Sequence, residues 1–250
     1  MIDKFKQTFE KLSKTYENTI VFNDFLDYTI DQFLINPKED RLFNYKNYTK
    51  EDYKLFFELF SYLVQAMEKK LKNHKWFDII GYFYEETIQS SFKSSNMGQF
   101  YTPVNVTNML SELSINIYGK QDPKDIQSAY DPAGGSGRTL LAHHNKRPYD
   151  LCFSWDLDST SVKMCVINFI LHGVKGSAVH IDTLEMNFFD GFKINEFIDY
   201  GLPMSVQRCS SLEETYVFLG VKKDLPKVNV KEEVNINRPE KKNTGQTTLI

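Results

Sequence analysis

The sequence has few cysteines, no long apolar run and no excess of positive charge. Its three cysteines (Cys152, Cys165 and Cys209) are too few and too scattered for a disulfide framework or a CxxC metal site. We therefore expect buried, reduced thiols, no metal and a cytoplasmic protein. No window approaches the roughly 18 consecutive apolar residues of a membrane span, so we expect no membrane partner. The net charge of −3 argues against coating nucleic acid by electrostatics alone.

Three regions of different pattern follow each other along the 250 residues. Residues 1–92 carry apolar side chains at three- and four-residue spacing, which predicts a helical N-terminal domain. Within it, Thr49 and Asp52 match a capping box at a helix start. Residues 93–221 change to short strands that alternate with helices, as in an α/β domain. From residue 222 the apolar pattern is lost, and 222–250 is predicted to be a flexible tail.

The α/β region combines strands with acidic residues at their ends. Its predicted strands are Ser128–Asp131, Leu151–Trp155 and Ala178–Ile181, and its predicted helices are Val104–Tyr118, Gly137–Asn145 and Ser159–His172. Right-handed crossovers bring the carboxyl ends of such strands to one edge. We therefore predict a Rossmann-like, mostly parallel sheet with helices on both faces. It would gather Asp131, Asp156 and Asp182 at that edge.

The stretches before and after these strands carry further patterns of apolar residues. The helix predicted over Val104–Tyr118 has one apolar face, formed by Val106, Met109, Leu110, Leu113 and Ile117. After Asp182 the pattern weakens, and residues 187–203 show no clean period. Met204–Cys209 and Thr215–Val221 are predicted to be two further strands.

A glycine turn follows the first predicted strand. Asp131 is followed by three glycines within residues 134–137, which let the backbone adopt positive φ and let a nucleotide-like ligand approach closely. A dinucleotide fingerprint would need glycine at Leu140, and a P-loop would need lysine at Arg138. Asp156, about 20 positions further on, suits the ribose of either NAD or S-adenosylmethionine. The leading carboxylate of Asp131 favours S-adenosylmethionine, whose ammonium and sulfonium are positive.

Taken together, these motifs resemble the adenine-N6 DNA methyltransferases, specifically the modification subunits of type I restriction systems. The resemblance covers about residues 76–185. Its motifs, in family order, are Ile79–Glu85, Gly98–Pro103, Asp131–Gly137, Trp155–Asp158 with Cys165–Gly173, and Asp182–Leu184. The family usually has cysteine where this chain has Gly134.

The resemblance implies an S-adenosylmethionine site. The predicted cofactor contacts are Phe100, Tyr101, Thr102, Pro103, Asp131, Ala133, Gly134, Gly135, Ser136, Gly137, Asp156, Leu157, Asp182, Thr183 and Leu184. In the implied roles, residues 100–103 close over the methionine part of the cofactor. Asp131 and the glycine turn hold its amino and carboxylate groups. Asp156 accepts from the ribose hydroxyls, and Asp182 meets the adenine amino group.

The segment that would bind the target amine is missing from the sequence. Methylating an exocyclic amine requires an acceptor for that amine and a stacking aromatic, which the family supplies in an Asn-Pro-Pro-Phe or Asn-Pro-Pro-Tyr segment. This chain contains no Pro-Pro. Asn187–Asp190 lies too close behind Asp182 for another helix and strand. The weak catalytic candidates are therefore Asp199, Tyr200 and Pro203.

Two functions and three kinds of partner remain open at this point. One function is an adenine-N6 DNA methyltransferase, active alone or completed by another chain. The other is a non-catalytic regulator or decoy that binds DNA or protein on a degenerate methyltransferase fold. The expected partners are DNA, a specificity or partner subunit that recognises the target sequence, and a bacterial sliding clamp. The clamp is suggested because Gln246–Ile250 resembles the Gln-x-x-Leu-Phe peptide that docks on such clamps.

Overall fold

The computed structural model describes residues 2–88, 102–118, 126–202, 204–216 and 229–230. Its helices are α1 (Ile2–Ser13), α2 (Asn18–Asp31), α3 (Lys50–Leu71), α4 (Ile79–Thr87), α5 (Val104–Tyr118), α6 (Arg138–His144), α7 (Ser159–His172) and α8 (Leu212–Thr215). Its strands are β1 (Ser128–Asp131), β2 (Leu151–Asp156), β3 (Gly176–Asp182), β4 (Asn187–Ile194), β5 (Val206–Cys209) and β6 (Asn229–Val230). The predicted order, N-terminal helices followed by an α/β region, is confirmed.

The strands form one sheet in the order β1-β2-β3-β4-β5, with β6 paired to β4. β1, β2 and β3 run parallel, as predicted, and α6 and α7 form the crossovers between them. From β3 to β5 the pairing is antiparallel. The physical reason is the link between β3 and β4, because residues 183–186 are too few for a crossover and suffice only for a hairpin.

The prediction for the chain after Asp182 needs correction. β4 was not predicted, because the strand is buried on both faces along most of its length and therefore lacks an alternating pattern. The predicted strand over Met204–Cys209 is observed as β5. The one over Thr215–Val221 is not observed where the structure describes it, since Thr215 belongs to α8, whose start is capped by the Ser211 hydroxyl. Residues 217–221 lie outside the described residues.

The N-terminal helices share one hydrophobic core with α6, α7 and one face of the sheet. Phe5 of α1 stacks on Phe83 of α4 with 3.9 Å between ring centroids, and the Thr160 hydroxyl of α7 donates to Asn23 of α2. The other face of the sheet carries a smaller cluster around Trp155, on which α8 packs. Within the described ranges, the long helices therefore lie on one face.

The predicted domain division and tail remain predictions. Among residues 222–250, the structure describes only Asn229–Val230, which pair with the start of β4, and the Gln246–Ile250 peptide lies outside the described residues. Within the part of the chain that the structure describes, no helix is long and apolar enough to cross a membrane.

Candidate cofactor site

The three predicted aspartates lie at one edge of the sheet. Asp131 ends β1, Asp156 ends β2 and Asp182 ends β3. In the register of the strands, Asp131 faces Ser154 and Asp156 faces His180. Because neighbouring strands are about 4.8 Å apart, the carboxyl ends form a short row of acidic groups. The predicted constellation is therefore present in the fold.

The glycine turn between β1 and α6 has the backbone that its sequence predicts. Gly135 and Gly137 adopt left-handed φ angles of 55° and 82°, which residues with a Cβ rarely adopt. The amide of Gly137 donates to the Gly134 carbonyl at 2.9 Å, and the Ala133 amide donates to the Asp131 carboxylate at 3.2 Å. These bonds close a tight turn directly after the first acidic group.

The turn is attached to the end of β2 by two hydrogen bonds. The Gly135 amide donates to Asp156 Oδ2 at 2.8 Å, and the Gly134 amide donates to the Trp155 carbonyl at 2.9 Å. Asp156 Oδ1 also accepts from the Asp158 amide at 2.9 Å. A carboxylate has about four acceptor sites, so Asp156 keeps room for hydroxyl donors such as those of a ribose.

Burial raises the pKa of Asp156, and the backbone donors Asp158 and Gly135 only partly oppose this effect. Nearby negative charge on Asp158 and Asp131 raises it further. A ligand that donates hydroxyl groups to this carboxylate, or that carries positive charge, would relieve the cost of its ionisation.

Exposed leucines follow two of the acids. Leu157 follows Asp156 and is exposed, and Leu184, two residues after Asp182, is 94% exposed. Asp182 Oδ1 accepts from the Leu184 and Glu185 amides, both at 3.0 Å, which shapes the loop after β3. Apolar groups beside hydrogen-bond acceptors fit a purine ring with ribose hydroxyls and an amino group.

The structure describes only part of the predicted segment 100–103. Phe100 and Tyr101 lie outside the described residues. Thr102 and Pro103 precede α5, and the Thr102 carbonyl accepts a bond from Arg138 Nη1 at 3.2 Å. Because Arg138 directly follows the glycine turn, this bond connects the end of the segment to the predicted cofactor site.

Behind the turn lies a buried polar network that the sequence analysis missed. Asp78, which is only 4% exposed, accepts three side-chain bonds there. The donors are Ser136 Oγ at 2.6 Å, Arg138 Nε at 2.9 Å and Asn168 Nδ2 at 2.7 Å. Asp78 also caps α4 through the Gly81 amide, so the network joins α4, the glycine turn and α7. One signal was available: Asn168 interrupts an apolar run of α7.

Arg138 is the cation of this network. Burial disfavours its charged form, but Asp78 and Glu85 outweigh that cost and raise its pKa. Glu85 accepts from Arg138 Nη2 at 3.1 Å. The charged guanidinium thus connects α4 to the Thr102 backbone, at the base of the turn.

The structure does not bring Asp199 or Tyr200, two of the three weak catalytic candidates, to this edge. Asp199 lies in a 3-10 helix, Ile198–Tyr200, and pairs with Lys175 at 2.7 Å. Lys175 directly precedes β3, whereas Asp182 ends it. The seven residues of β3 span about 20 Å. Asp199 therefore lies at the opposite edge, where β3 begins, away from the row of acidic groups. Tyr200 is exposed there, and Pro203 lies outside the described residues.

Asn187, by contrast, lies next to Asp182, because β3 and β4 form a hairpin in which the two residues face each other. Its side chain is buried and donates to Glu185 at 2.8 Å. The spacing after Asp182 excludes Asn187–Asp190 as an amine-binding segment only if a crossover follows β3, and the hairpin removes that condition.

The thiols and acids of the described residues do not combine into a metal centre. Cys152, Cys165 and Cys209 are buried and free, and burial raises the pKa of each thiol. In the same residues, no group of three His, Cys, Asp or Glu side chains could hold a metal ion.

Three parallel strands, a glycine turn after the first of them and acids at their carboxyl ends are features that nucleotide-cofactor-binding α/β folds share. A family model described as N-6 DNA Methylase matches residues 75–207, more than half of the chain. The chain belongs to the N-6 DNA methylase family. A search of curated proteins gave no match.

Two solved structures with similarity to the chain are of larger proteins. One is a protein of Listeria monocytogenes described as a class I S-adenosylmethionine-dependent methyltransferase, with 12% identity and a TM-score of 0.42 over 70% of this chain and 51% of that protein. Another is the type I restriction-modification methyltransferase subunit of Streptococcus thermophilus, with 21% identity and a TM-score of 0.32 over 55% of this chain and 28% of that subunit. The chain thus spans about half or less of each.

Proposed function

We propose that this chain binds S-adenosylmethionine at the carboxyl edge of β1, β2 and β3 and forms the cofactor-binding part of an adenine-N6 DNA methyltransferase. The observation that carries the proposal is the attachment of the glycine turn to Asp156 through the 2.8 Å bond from the Gly135 amide. This bond joins the turn after β1 to the acid of β2. A ligand with both an amino-acid part and a ribose would span these two places.

Each acid has a separate role in this proposal. Asp131 and the turn hold the amino-acid part, because a carboxylate attracts its ammonium group. Asp156 accepts from the ribose hydroxyls with the acceptor sites that its backbone bonds leave open. Asp182 accepts from the adenine amino group, and the exposed Leu157 and Leu184 cover the faces of the ring.

In this proposal the target-amine acceptor comes from a partner, because the Asn187 side chain beside Asp182 is buried and already donates to Glu185. The sequence contains no Pro-Pro, and Asp199 is bound to Lys175 at the opposite edge. The chain therefore supplies the cofactor half, and DNA, a specificity subunit or another partner chain supplies or positions the rest. The second candidate function, a regulator or decoy that binds cofactor without turnover, rests on the same position of Asp199.

Titration calorimetry with S-adenosylmethionine and S-adenosylhomocysteine tests the cofactor site. A hydrogen bond to a charged group contributes about 1.5–3 kcal/mol, so Asp156→Asn should weaken binding by about 10- to 100-fold. Asp199→Asn is the matched control, since it changes an aspartate at the opposite edge and should leave the affinity unchanged. No binding by the wild-type chain, or equal effects of both substitutions, would overturn the proposal.

Methyl transfer from labelled S-adenosylmethionine to unmethylated DNA separates the two functions. We expect the purified chain alone to give no more incorporation than its Asp131→Ala variant. Incorporation that Asp131→Ala abolishes would show that the chain carries its own amine acceptor, and both the regulator hypothesis and the need for a partner would then fail.

A further inference from the structure

Helix α5 has its apolar face turned outward. Val106, Met109 and Leu113 are 39%, 55% and 50% exposed, although they form the apolar face that the sequence predicts. The buried face instead carries Thr107 and Ser111, and Ser111 Oγ donates to the Ala142 carbonyl of α6 at 2.8 Å. An amphipathic helix normally buries its apolar side. In this chain that side is available to another surface.

The outermost strand on the side of α5, β1, also has an open outer side. Among the described residues, β1 pairs with β2 alone, so its outer row of backbone amides and carbonyls can accept another strand. The outermost strand on the other side of the sheet, β5, differs from β1. There the Val206 amide donates to the Phe33 carbonyl and the Ile35 amide donates to the Val206 carbonyl, both at 2.9 Å. Tyr130 of β1 and Ile126 just before it are exposed. The β5 edge is thus partly covered, whereas among the described residues no backbone bond covers the outer side of β1.

The two open surfaces belong to the same side of the molecule. α7 packs on β2 and β3, α6 packs on β1 and β2, and α5 packs on α6. The order of the helices thus follows the order of the strands, and α5 occupies the place above the next strand beyond β1. Within the described ranges, no strand lies there. A further strand beside β1, with apolar side chains that face α5, would therefore cover both the outer edge of β1 and the apolar face of α5.

We propose that this face binds a second polypeptide that adds a β-strand parallel to β1 and packs apolar side chains against Val106, Met109 and Leu113. The proposal rests on the proposed function, because a doubly wound sheet binds its ligand where a parallel strand continues on the other side of the first strand. The chain holds the 3-2-1 half of that order. The added strand would end beside Asp131, next to the predicted cofactor.

The direction of the strand argues for a different chain over a second copy. Two copies related by a two-fold axis meet through the same surface, so their β1 strands would run antiparallel. Such pairing would close the sheet without forming a crevice beside Asp131. The rim is polar, since Lys146 and Glu112 form an ion pair beside Leu113, and an apolar centre with a polar rim is typical of protein interfaces.

Site-specific photo-cross-linking in the native cells tests the surface with the full chain. p-Benzoylphenylalanine would replace Met109, Leu113 or Tyr130, and Phe57, an exposed residue of α3, provides the control position. We expect the first three positions to cross-link to one other polypeptide and the control position not to. The proposal would be overturned if the cross-links formed only with a second copy or only within the same chain. It would also be overturned if Phe57 cross-linked as strongly as the three test positions.

Reconstitution completes the test, because capture of a protein alone does not establish the geometry. Co-expressed with the cross-linked polypeptide, the chain should show slowed amide hydrogen exchange over Ser128–Asp131. Leu113→Glu should abolish the complex, whereas Phe57→Glu should not, with melting curves of both variants matching the wild type. Unchanged exchange at β1 would overturn the proposal. Cofactor binding by the isolated chain, measured in parallel, reports on the proposed function separately.

Discussion

Arg138 Nε donates to Asp78 Oδ2 across 2.9 Å, although the two residues are 60 positions apart and only 8% and 4% exposed. This buried ion pair joins the start of α4 to the residue that directly follows the glycine turn. Removing charges from water is costly, so such a pair is tolerated only when further hydrogen bonds satisfy both groups. Here Ser136, Asn168 and Glu85 do so. The N-terminal helices thus help to position the cofactor turn.

Asp78→Ala should destabilise the fold by about 3–5 kcal/mol, because it leaves the Arg138 guanidinium buried without its main partner. Urea unfolding measures the loss. Glu68→Ala is the control, since Glu68 of α3 pairs with Lys72 and both side chains are largely exposed, so the change should alter stability by less than about 1 kcal/mol. The double variant Asp78→Ala/Arg138→Met should be more stable than Asp78→Ala alone. A double variant that is less stable would contradict the ion-pair explanation.

Gly134→Ala should destabilise by about 1–3 kcal/mol through overpacking. A Cβ on Gly134 would overlap the Ser154 hydroxyl and lie 3.2 Å from Ser154 Cβ. Ser154→Ala removes the hydroxyl, so the two changes together should cost less than the sum of their separate effects, in a double-mutant cycle.

Gly201→Ala is the matched control for that cycle. Gly201 has a φ of 82°, and among the described residues no atom beyond its two chain neighbours lies within 4 Å of the added Cβ, so the cost of the substitution comes from backbone strain. Its effect should not depend on Ser154. If the effect of Gly134→Ala is equally independent of Ser154, the overlap is not the cause.

The sequence predicts best what is local. The ends of α7 carry their own signals, since Asp158 caps its first turn and Gly173 ends it in a left-handed conformation. β1 and β2 are short runs that end in an acid, and parallel topology then places Asp131 and Asp156 at one edge. These features depend on neighbouring residues and on a general rule of handedness.

Contacts between distant residues could not be predicted in the same way. The spacing of Asp199 from Asp182 suits an amine-binding residue only if a crossover follows β3. The hairpin to β4 reverses the chain and takes Asp199 to Lys175 instead. Likewise, nothing local in the sequence indicates that Asp78 and Arg138 meet. Such pairs depend on how whole elements pack.

Stability should fall as the pH decreases from about 6.5 to about 4. Burial, together with the nearby His172 and His143, lowers the pKa of His144 from 6.5 to about 4. Between these values the unfolded chain binds a proton that the folded chain does not, so acid favours unfolding, by about 3 kcal/mol over the whole interval. His172 acts in the same direction, because burial lowers its pKa and its Nε2 already accepts from the Phe77 amide.

In His144→Gln, the free energy of unfolding should depend less steeply on pH than in the wild type. Urea unfolding at a series of pH values measures this slope. His74→Gln, a change at an exposed histidine of the segment after α3, is the control and should retain the wild-type slope. Equal slopes for wild type and His144→Gln would show that His144 is protonated in the folded chain.

Cofactor affinity should decrease as the pH falls through the raised pKa of Asp156. Burial raises this pKa above its ordinary value of 3.8, whereas ribose hydroxyls donate to the ionised form. Binding therefore favours the carboxylate, and near that pKa it should release a proton. Calorimetry in two buffers of different ionisation enthalpy measures the release. On binding the cofactor, the Asp199→Asn variant should release the same number of protons as the wild type, and the Asp156→Asn variant should release fewer. Proton uptake on binding would contradict the ribose role, since it would mean that the ligand prefers the neutral acid.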